Sequence, residues 1–529
     1  MIGRARFWAI VFAVAVAAVA ALIAVPGLAS PDRAAGPAAR ASGHSSLRAH
    51  RAARPTAAAP APVEITVQAA TGLAVPHSFL GLSTEYWTLP VARRYLSLYE
   101  RVLSLLEVPG SGPFLLRIGG DSSDHAFYLP RARKMPRWMF GLTPAWLTQA
   151  ASIVRTLGLH VILDLNMITG TSRSAAAWAR AAEAVLPRRS IVGYEIGNEP
   201  DLYSRAYWMG ETDDNRFGGR VLPTDMTPTG YVRDYRTYAR ALERVAPHTP
   251  LLGPALSHPD KSSRWISTLV AGAHPDLGTV TGHRYPYSAC SFHGSPSYPT
   301  IARLLSDNAS AGVARSVGKA VAIARRAGLQ FRLTELNSVT CGGVAGVSNT
   351  FATALWFPDA AFELARAGVQ GINLHARLNA INGPFAFNAR GLVARPLLYG
   401  MLMFARTLGP DSQVVPLGLH AGRRADVKAW AVRIGGDQLR TLVINKGPAP
   451  VRATLRLPAT TTATVQRLLA PSVHSRFGVT IGGQWLDAHG IWRGKRVTQA
   501  IAPSWSGSYE LTMRGYSAAL VTVQLPSPA

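Results

Sequence analysis

Two glutamates stand at the ends of apolar segments that are typical of buried strands. Glu199 follows the run at 191–197, and Glu335 lies near the end of the run at 331–336. Because Pro200 has no backbone N–H to offer a sheet, strand pairing should stop beside Glu199. Catalytic side chains collect at the carboxyl ends of the strands of an α/β barrel. We therefore predict that Glu199 and Glu335 face one another at the mouth of such a barrel.

A facing pair of carboxyl groups is what retaining glycoside hydrolysis requires. One carboxyl protonates the leaving oxygen, and the other attacks the anomeric carbon from a position about 5 Å away. We assign the acid/base role to Glu199 and the role of nucleophile to Glu335. The alternative for each residue is a buried structural glutamate held in a salt bridge.

The chain around these glutamates alternates strand-like apolar runs with helical stretches. Such alternation predicts a parallel sheet with helices outside, and eight such units close a (β/α)8 barrel. An open doubly wound sheet is the alternative, although no Gly-x-Gly-x-x-Gly follows a strand. The predicted strands are residues 79–83, 114–118, 160–165, 191–196, 251–253, 280–283, 331–335 and 371–375. The predicted helices include residues 92–106, 144–157, 174–185, 231–245, 302–327 and 350–367.

Beyond residue 405 the pattern changes to short β-prone runs separated by Gly, Pro and Asp, which is typical of an all-β sandwich. An isolated strand-like run at 63–67 precedes the barrel. We assign it to the sandwich, because the barrel already has its eight strands. The predicted domains are a catalytic barrel at 76–405 and a sandwich built from 63–75 and 406–529. The predicted sandwich strands are residues 427–432, 439–445, 452–457, 464–468 and 518–525.

Longer motifs around the barrel strands resemble one family of glycosidases. The resemblance is to the heparanase-like β-glucuronidases, glycoside hydrolase family 79 of clan A. It rests on the motifs Leu116-Arg-Ile-Gly-Gly-Asp-Ser-Ser-Asp124, Glu195-Ile-Gly-Asn-Glu-Pro200 and His283-Arg-Tyr-Pro286. It covers the chain from about residue 79 to its end, and it implies a retaining β-glucuronidase with a carbohydrate substrate and no cofactor.

Three polar residues near the glutamates have expected roles. Asn198 can bond a sugar hydroxyl, O2 above all, where hydrogen bonds strengthen toward the transition state. Arg117 could hold Glu335 ionised, because an opposite charge at close range lowers a carboxyl pKa. The alternative is a barrel-lining arginine paired with Glu195. Tyr285 resembles the family tyrosine that donates its hydroxyl to the nucleophile, and the alternative is an aromatic lid residue.

Two acidic residues follow the first and second predicted strands. By resemblance, Glu85 and Asp121 grip the hydroxyl groups of the sugar. The alternative for either residue is a role in a turn or a helix cap.

The loop after the nucleophile carries Gly342 and Gly343, whose backbone N–H groups can approach an anion closely. In the resembled family such N–H groups take the uronic carboxylate; the alternative is a flexible turn. The tyrosine usual before these glycines is absent, and Thr340-Cys341 stands there instead. A side chain between residues 377 and 385 is expected to add a donor. A hydrolase for a neutral β-glycoside and an inactive carbohydrate-binding cell-wall protein therefore remain alternatives.

The N-terminus has the pattern of an export signal. Residues 1–29 combine a basic start, an apolar run and a small-x-small site, so they predict a signal peptide or an uncleaved membrane anchor. Residues 30–62 are rich in Ala, Pro and Arg and predict a disordered linker. An exported chain with two cysteines, Cys290 and Cys341, can bridge them; two free thiols are the alternative. We predict an exported protein that touches a membrane only through that anchor.

The composition excludes some classes of partner. The net charge is +26, from 55 Lys+Arg against 29 Asp+Glu, but no nucleic-acid motif accompanies it, so we predict no nucleic-acid partner. Histidines at 125, 258, 283 and 293 lack the spacing of zinc ligands, and we predict no metal.

Overall fold

A computed structural model describes residues 60–204 and 226–526, apart from residues 69, 132, 137 and 424. It contains a closed barrel of eight parallel strands and a β-sandwich, so the predicted fold class is confirmed. The predicted signal peptide or anchor at 1–29 and nearly all of the predicted linker at 30–62 lie outside the described residues. Within the described ranges, no helix is long and apolar enough to cross a membrane.

The barrel closes because its eighth strand pairs in parallel with its first. The predicted bounds of the third and fourth strands coincide with the structure, and the others agree to within three residues at each end. The apolar runs predicted these strands correctly, because strands of a closed parallel barrel are covered on both faces. In chain order, the barrel strands are Leu80–Glu85, Leu115–Gly119, His160–Leu165, Ile191–Ile196, Leu251–Leu256, Leu277–Arg284, Gln330–Leu336 and Ile372–His375.

Local capping sets where several helices begin. Thr143 and Thr227 each accept a backbone N–H from the first turn, and a proline follows each of them. Thr171 and Ser174 form a reciprocal capping box. The helices are Thr88–Ala92, Leu96–Leu106, Pro144–Leu157, Ser172–Val185, Pro228–Glu243, Ser263–Ala273, Ile301–Leu305, Ala311–Arg326, Phe351–Arg366 and Pro396–Thr407, with 3₁₀ turns at Arg93–Tyr95, Gly120–His125, Pro200–Leu202, His274–Asp276 and Asp307–Ala309.

The single helix predicted at 302–327 is wrong. The structure has two helices there, Ile301–Leu305 and Ala311–Arg326, with a 3₁₀ turn between them. Ser306 leaves the helical region of the backbone, at ψ 159°, and its hydroxyl donates to the Arg303 carbonyl. A serine that bonds nearby backbone groups competes with the helix, which accounts for the break.

The sandwich has two layers and includes strands from both parts of the chain. Ala61–Val67 lies between Leu417–Ala421 and Val451–Arg456, which confirms that an N-terminal strand joins this domain. One sheet has the order Leu417–Ala421, Ala61–Val67, Val451–Arg456 and Ser508–Met513. The other has the order Leu73–Ala74, Gln413–Val415, Val427–Ile434, Gln438–Asn445, Ser517–Gln524, Ala463–Leu469 and Thr480–Ile481, with Gln499–Ile501 paired to Ala463–Leu469. The short pairs elsewhere are Ala126–Tyr128 with Phe140–Leu142, Tyr287–Ser288 with Val339–Thr340, Phe385–Asn388 with Gly391–Ala394, and Trp485–Leu486 with Trp492–Arg493.

The second sandwich sheet packs directly against the barrel helices. Its strand Val427–Ile434 points Ala431 into the sandwich core and Trp430 toward the barrel. Trp430 stacks on Phe362, with ring centroids 5.3 Å apart. Helix Phe351–Arg366 is consequently buried along nearly its whole length. The helix that follows the seventh barrel strand is thus held between the two domains.

Candidate active site

The fourth barrel strand delivers Glu199 through an unusual backbone turn. After the strand, Gly197 has φ +84°, and Glu199 itself lies in the left-handed region at φ 50° and ψ 50°. Few non-glycine residues adopt that region, and such backbones cluster at functional sites. The Glu199 amide donates to the Ala255 carbonyl at 3.0 Å. Nearby, Asp201 accepts hydrogen bonds from both the amide and the hydroxyl of Ser257, which fixes this turn to the loop after the fifth strand.

The seventh barrel strand places Glu335 in a nearly closed environment. Arg117 donates to Glu335 Oε1 at 2.7 Å, and the Tyr285 hydroxyl donates to Oε2 at 2.9 Å. Burial alone would raise the pKa of Glu335, but the charges of His375, His283 and Arg117 and the bond from Tyr285 hold it well below its ordinary value. Glu335 is therefore a carboxylate at neutral pH.

The two glutamates meet at His283. One carboxylate oxygen of Glu199, one of Glu335 and a ring nitrogen of His283 all lie within 4.8 Å of one another. His283 Nδ1 is 2.9 Å from Glu199 Oε1 and 3.8 Å from Glu335 Oε2. The Glu199 side chain is 20% exposed and that of Glu335 is 9% exposed, so Glu199 is the more open of the two to an incoming group.

Arg117 is the buried centre of the charge network. It donates to Glu195 at 2.8 Å and to Asp164 at 2.9 Å, besides its bond to Glu335. It also donates to Asn198 Oδ1 at 3.0 Å. Arg117 is thus a partner of both Glu335 and Glu195, which were alternatives from the sequence alone. Burial acts to lower the pKa of Arg117, but Glu195, Asp164 and Glu335 raise it above its ordinary value.

Asn198 is oriented from both sides. Its side-chain oxygen accepts from Arg117, and its backbone N–H donates to the Tyr203 hydroxyl at 3.0 Å. That hydroxyl in turn donates to Asp124 Oδ1 at 2.7 Å. No described residue accepts from Asn198 Nδ2, so this amide can donate to a ligand. Its contact with a sugar hydroxyl stays a prediction.

Glu85 and Asp121 lie together beside the first and second strands, with Arg377 between them. Arg377 Nε is 4.0 Å from Glu85 Oε1, and its Nη1 is 4.0 Å from Asp121 Oδ2. Glu85 is almost fully buried, accepts from the Ser122 amide at 2.8 Å and lies 3.5 Å from His375 Nε2. Asp121 is half-exposed and open to a ligand. The predicted grip on sugar hydroxyls therefore has an accessible side chain in Asp121 and an enclosed one in Glu85.

The glycine loop corrects one expectation. Gly342 and Gly343 both have positive φ, at 77° and 89°, as a tight turn requires. The Gly343 N–H donates to the Thr340 carbonyl at 3.2 Å, so it is engaged in the turn and is not a free donor for a substrate carboxylate. The Gly342 N–H donates to no described residue. The predicted pair of donors is thus reduced to one.

The loops around Glu335 are tied to each other. Cys290 and Cys341 form a disulfide that joins the loops after the sixth and seventh strands. The hydroxyl of Thr340 also donates to that of Ser288 at 3.0 Å, beside the short strand pair between the same loops. On the other side, Asn382 Nδ2 donates to the Val339 carbonyl. Backbone and side-chain bonds therefore join three consecutive loops of the mouth.

Glu199, His283 and Glu335 are also the one group of three or more His, Cys, Asp and Glu in the described residues that could converge on a metal ion. Glu335 already accepts from Arg117, whose fixed charge repels a second cation at this distance. The arrangement is that of a carboxyl pair with its supporting groups.

Sequence reasoning gave no role to three residues of the network. Asp164 lies in the third strand and forms an ion pair with Arg117. His283 lies between the two glutamates, and His375 ends the eighth strand beside Glu335. The signal was present: each is a polar side chain in or at the end of an apolar strand. A polar residue in such a strand is costly to bury unless it has a partner.

Comparisons with known proteins agree with this architecture. No protein-family model matches the chain. The chain is 24% identical to a "Beta-glucuronidase" of Aspergillus niger across an alignment of 531 residues, which covers 87% of this chain and 93% of the relative. Membership of glycoside hydrolase family 79 stays a prediction at this level of identity.

Solved structures show the same fold. A 4-O-α-L-rhamnosyl-β-D-glucuronidase from Fusarium oxysporum superposes with a TM-score of 0.69, at 19% identity, over 87% of this chain and 100% of that one. A family 51 α-L-arabinofuranosidase from Bifidobacterium longum gives 0.63 at 15% identity, over 88% and 100%. These likenesses include the sandwich as well as the barrel, because they extend over nearly all of the described residues.

Proposed function

We propose that this protein is a retaining β-glucuronidase with Glu335 as nucleophile and Glu199 as acid/base. The observation that carries the proposal is the approach of the two carboxyl groups, with one oxygen of each within 4.8 Å. Retaining enzymes place their carboxyls about 5 Å apart, whereas inverting enzymes leave roughly 6.5–9.5 Å for a water molecule. The geometry of the site therefore favours double displacement.

In the first step, the Glu335 carboxylate attacks the anomeric carbon while Glu199 gives its proton to the leaving oxygen. The bond to the leaving group breaks, and a glycosyl ester forms on Glu335. Arg117 and Tyr285 each bind one oxygen of Glu335, so the carboxylate is ionised and aimed before the substrate arrives.

In the second step, Glu199 takes a proton from a water molecule, which attacks the anomeric carbon and releases Glu335. Glu199 must therefore be protonated in one half of the reaction and ionised in the other. His283 Nδ1, 2.9 Å away, can accept a hydrogen bond from the protonated carboxyl or donate one to the carboxylate. One contact can thus support both steps.

The uronic sugar is supported by the likeness to the Aspergillus niger protein. The test is a panel of 4-nitrophenyl β-glycosides, namely the glucuronide, glucoside, galactoside and xyloside, with NMR of the first anomer released. We expect the highest kcat/KM on the glucuronide and a product of retained configuration. Preference for a neutral glycoside would favour the neutral-sugar alternative, and inverted product would contradict double displacement. If none of the four glycosides is hydrolysed, the alternative of an inactive carbohydrate-binding protein is favoured.

We also propose that the protein is exported, through residues 1–29. The disulfide between Cys290 and Cys341 supports this, since disulfides persist in oxidising compartments. Fractionation of cells that express the full chain, followed by N-terminal sequencing, tests it. Mature protein outside the cytoplasm that begins near residue 30 is expected for a cleaved signal, and an intact N-terminus in the membrane fraction for an anchor. Recovery in the cytoplasm would contradict export.

A further inference from the structure

A β-glucuronidase must bind a carboxylate on its sugar, and most donors near the nucleophile are already engaged. A desolvated carboxylate left unpaired is costly, so the pocket needs a partner for it. Arg117 is fully buried and binds Glu335, Glu195, Asp164 and Asn198. The Gly343 N–H is bonded to the Thr340 carbonyl.

Among the described residues, Arg377 is an arginine at this end of the barrel whose donors remain available. It follows the eighth strand by two residues, and its side chain is 47% exposed. None of its N–H groups makes a hydrogen bond to a described residue, and its two ion pairs, to Glu85 and Asp121, are both 4.0 Å long. A guanidinium in this state can still bind a carboxylate through two parallel hydrogen bonds.

The backbone under Arg377 is well fixed although its side chain is open. The Arg377 carbonyl accepts from the Ala380 amide at 3.1 Å. Arg395 donates to the carbonyls of Asn379, Ala380 and Gly383, which holds the loop in one shape. A cation on a fixed loop loses less freedom on binding an anion than one on a mobile loop.

Arg377 is connected to Glu335 through two intervening side chains, Glu85 and His375. His375 bridges the two regions, because its Nδ1 is 3.5 Å from Glu335 Oε1 and its Nε2 is 3.5 Å from Glu85 Oε1. Glu85 does not need Arg377 to compensate its charge, since Ser122 and His375 already face it. The guanidinium therefore lies beside Glu85, in the same network as Glu335, and makes no hydrogen bond to a described residue.

We propose that Arg377 is the residue that binds the carboxylate of the sugar and so selects uronates over neutral sugars. This rests on the proposed glucuronidase function. Arg377, which follows strand eight, is then the main donor to this carboxylate, and the Gly342 N–H is a second donor. Glu85 and Asp121 then flank and orient the guanidinium.

The test compares Arg377→Met with wild type on 4-nitrophenyl β-D-glucuronide and β-D-glucoside. Loss of a bidentate hydrogen bond to a charged group should lower kcat/KM for the glucuronide by about 10- to 100-fold. The glucoside value should stay within about threefold, since the glucoside has no carboxylate to lose. Arg377→Lys should be intermediate, because an ammonium lacks the planar fork. Arg390→Met, at an exposed arginine in the same connection, is the control and should change neither value.

A binding measurement separates this inference from the proposed function. Titration calorimetry with D-glucuronate should show a Kd that rises by a similar factor in Arg377→Met, whether or not the protein turns substrate over. An equal fall on both glycosides, or an unchanged ratio and an unchanged Kd, would overturn the role of Arg377. A wild type that binds glucuronate through Arg377 but hydrolyses no glycoside would contradict the hydrolase and leave the carboxylate site standing.

Discussion

At the scale of single residues, the site depends on the several groups that the buried guanidinium of Arg117 binds at once. Arg117 contacts the carboxylates of Glu195, Asp164 and Glu335 and the side-chain amide of Asn198. Such a buried group persists only when its partners surround it, since an isolated charge in the interior is very costly. The same contacts set the direction of Glu335 and keep it ionised. The contacts that compensate the buried charge of Arg117 are therefore the same contacts that orient Glu335.

Substitution of the nucleophile should abolish hydrolysis without unfolding the protein. We expect Glu335→Gln to lose roughly 10⁴-fold or more in kcat, because no glycosyl ester can form. In Glu335→Gly, azide should restore turnover and give a glycosyl azide of inverted configuration, since it attacks from the vacated face. Kinetics on the glucuronide and NMR of the product measure both effects. The control is Glu64→Gln, on an exposed position of the sandwich, and activity retained in Glu335→Gln would end the assignment.

Removal of the Tyr285 hydroxyl should change the pH dependence of kcat/KM. The Tyr285 hydroxyl lowers the pKa of Glu335, so Tyr285→Phe raises that pKa toward its ordinary value. More of the nucleophile is then protonated as the pH falls, and the acid limb of kcat/KM should move to higher pH. The matched control is Tyr287→Phe, whose hydroxyl bonds the Arg303 carbonyl instead. An acid limb that stays in place would show that Tyr285 does not act on Glu335.

At the scale of elements, the mouth of the barrel is made from strand ends whose loops are joined to each other. The fourth strand ends in the left-handed turn at Glu199, which Asp201 fixes to the loop after the fifth strand. The sixth and seventh loops share a disulfide and a two-residue strand pair. Loops are ordinarily the least stable parts of a fold, so these ties keep catalytic groups in register.

Removal of the disulfide should loosen the rim before it unfolds the barrel. We expect Cys290→Ser with Cys341→Ser to lose about 2–4 kcal/mol of unfolding free energy. At temperatures where the fold is intact, kcat should already fall, since the loop that carries Tyr285 is released. Activity and near-ultraviolet circular dichroism followed together over a temperature ramp measure this. Coincident loss of activity and structure, or two free thiols in the exported wild type, would contradict it.

At the scale of the whole molecule, the sandwich is fastened to the barrel by a buried ion pair. Lys446 of the sandwich lies 2.5 Å from Asp359 of the barrel helix that follows the nucleophile strand, and both side chains are 0% exposed. Trp430 donates to the other oxygen of Asp359 at 3.0 Å. Burial would raise the pKa of Asp359, but Lys446 holds it below its ordinary value, so Asp359 is a carboxylate at neutral pH. Its stabilisation is lost only as the pH falls through that lowered pKa.

Breaking this pair from one side should destabilise both domains together. We expect Lys446→Met to cost about 3–5 kcal/mol, because it leaves Asp359 as a buried charge without its partner. Adding Asp359→Leu should recover part of that loss. Urea unfolding measures the free energies, and Lys428→Met is the control, since its partner Asp307 is exposed and the change should cost about 1 kcal/mol or less. An equal loss from Lys446→Met and Lys428→Met would contradict the role of burial.

Much of the molecule follows from local patterns in the sequence. The eight barrel strands, most of the helices, the sandwich strands and the N-terminal strand that joins them are set by apolar periodicity, capping residues and turns. Because parallel strands of a barrel all end at one mouth, the sequence also placed Glu199 and Glu335 on a common face. These are consequences of short-range chemistry and of one topological rule.

What only the tertiary structure decided are the contacts between residues far apart in the chain. The sequence left open whether Arg117 pairs with Glu335 or Glu195, and the structure brings both of them and Asp164 to Arg117, because four strand ends converge there. The Gly343 N–H was expected to be free and is taken up by its own turn. Arg377 stands beside Glu85 although 292 positions separate them, since the eighth strand pairs with the first. Side-chain partners depend on distances across the closed sheet, which periodicity along one strand does not contain.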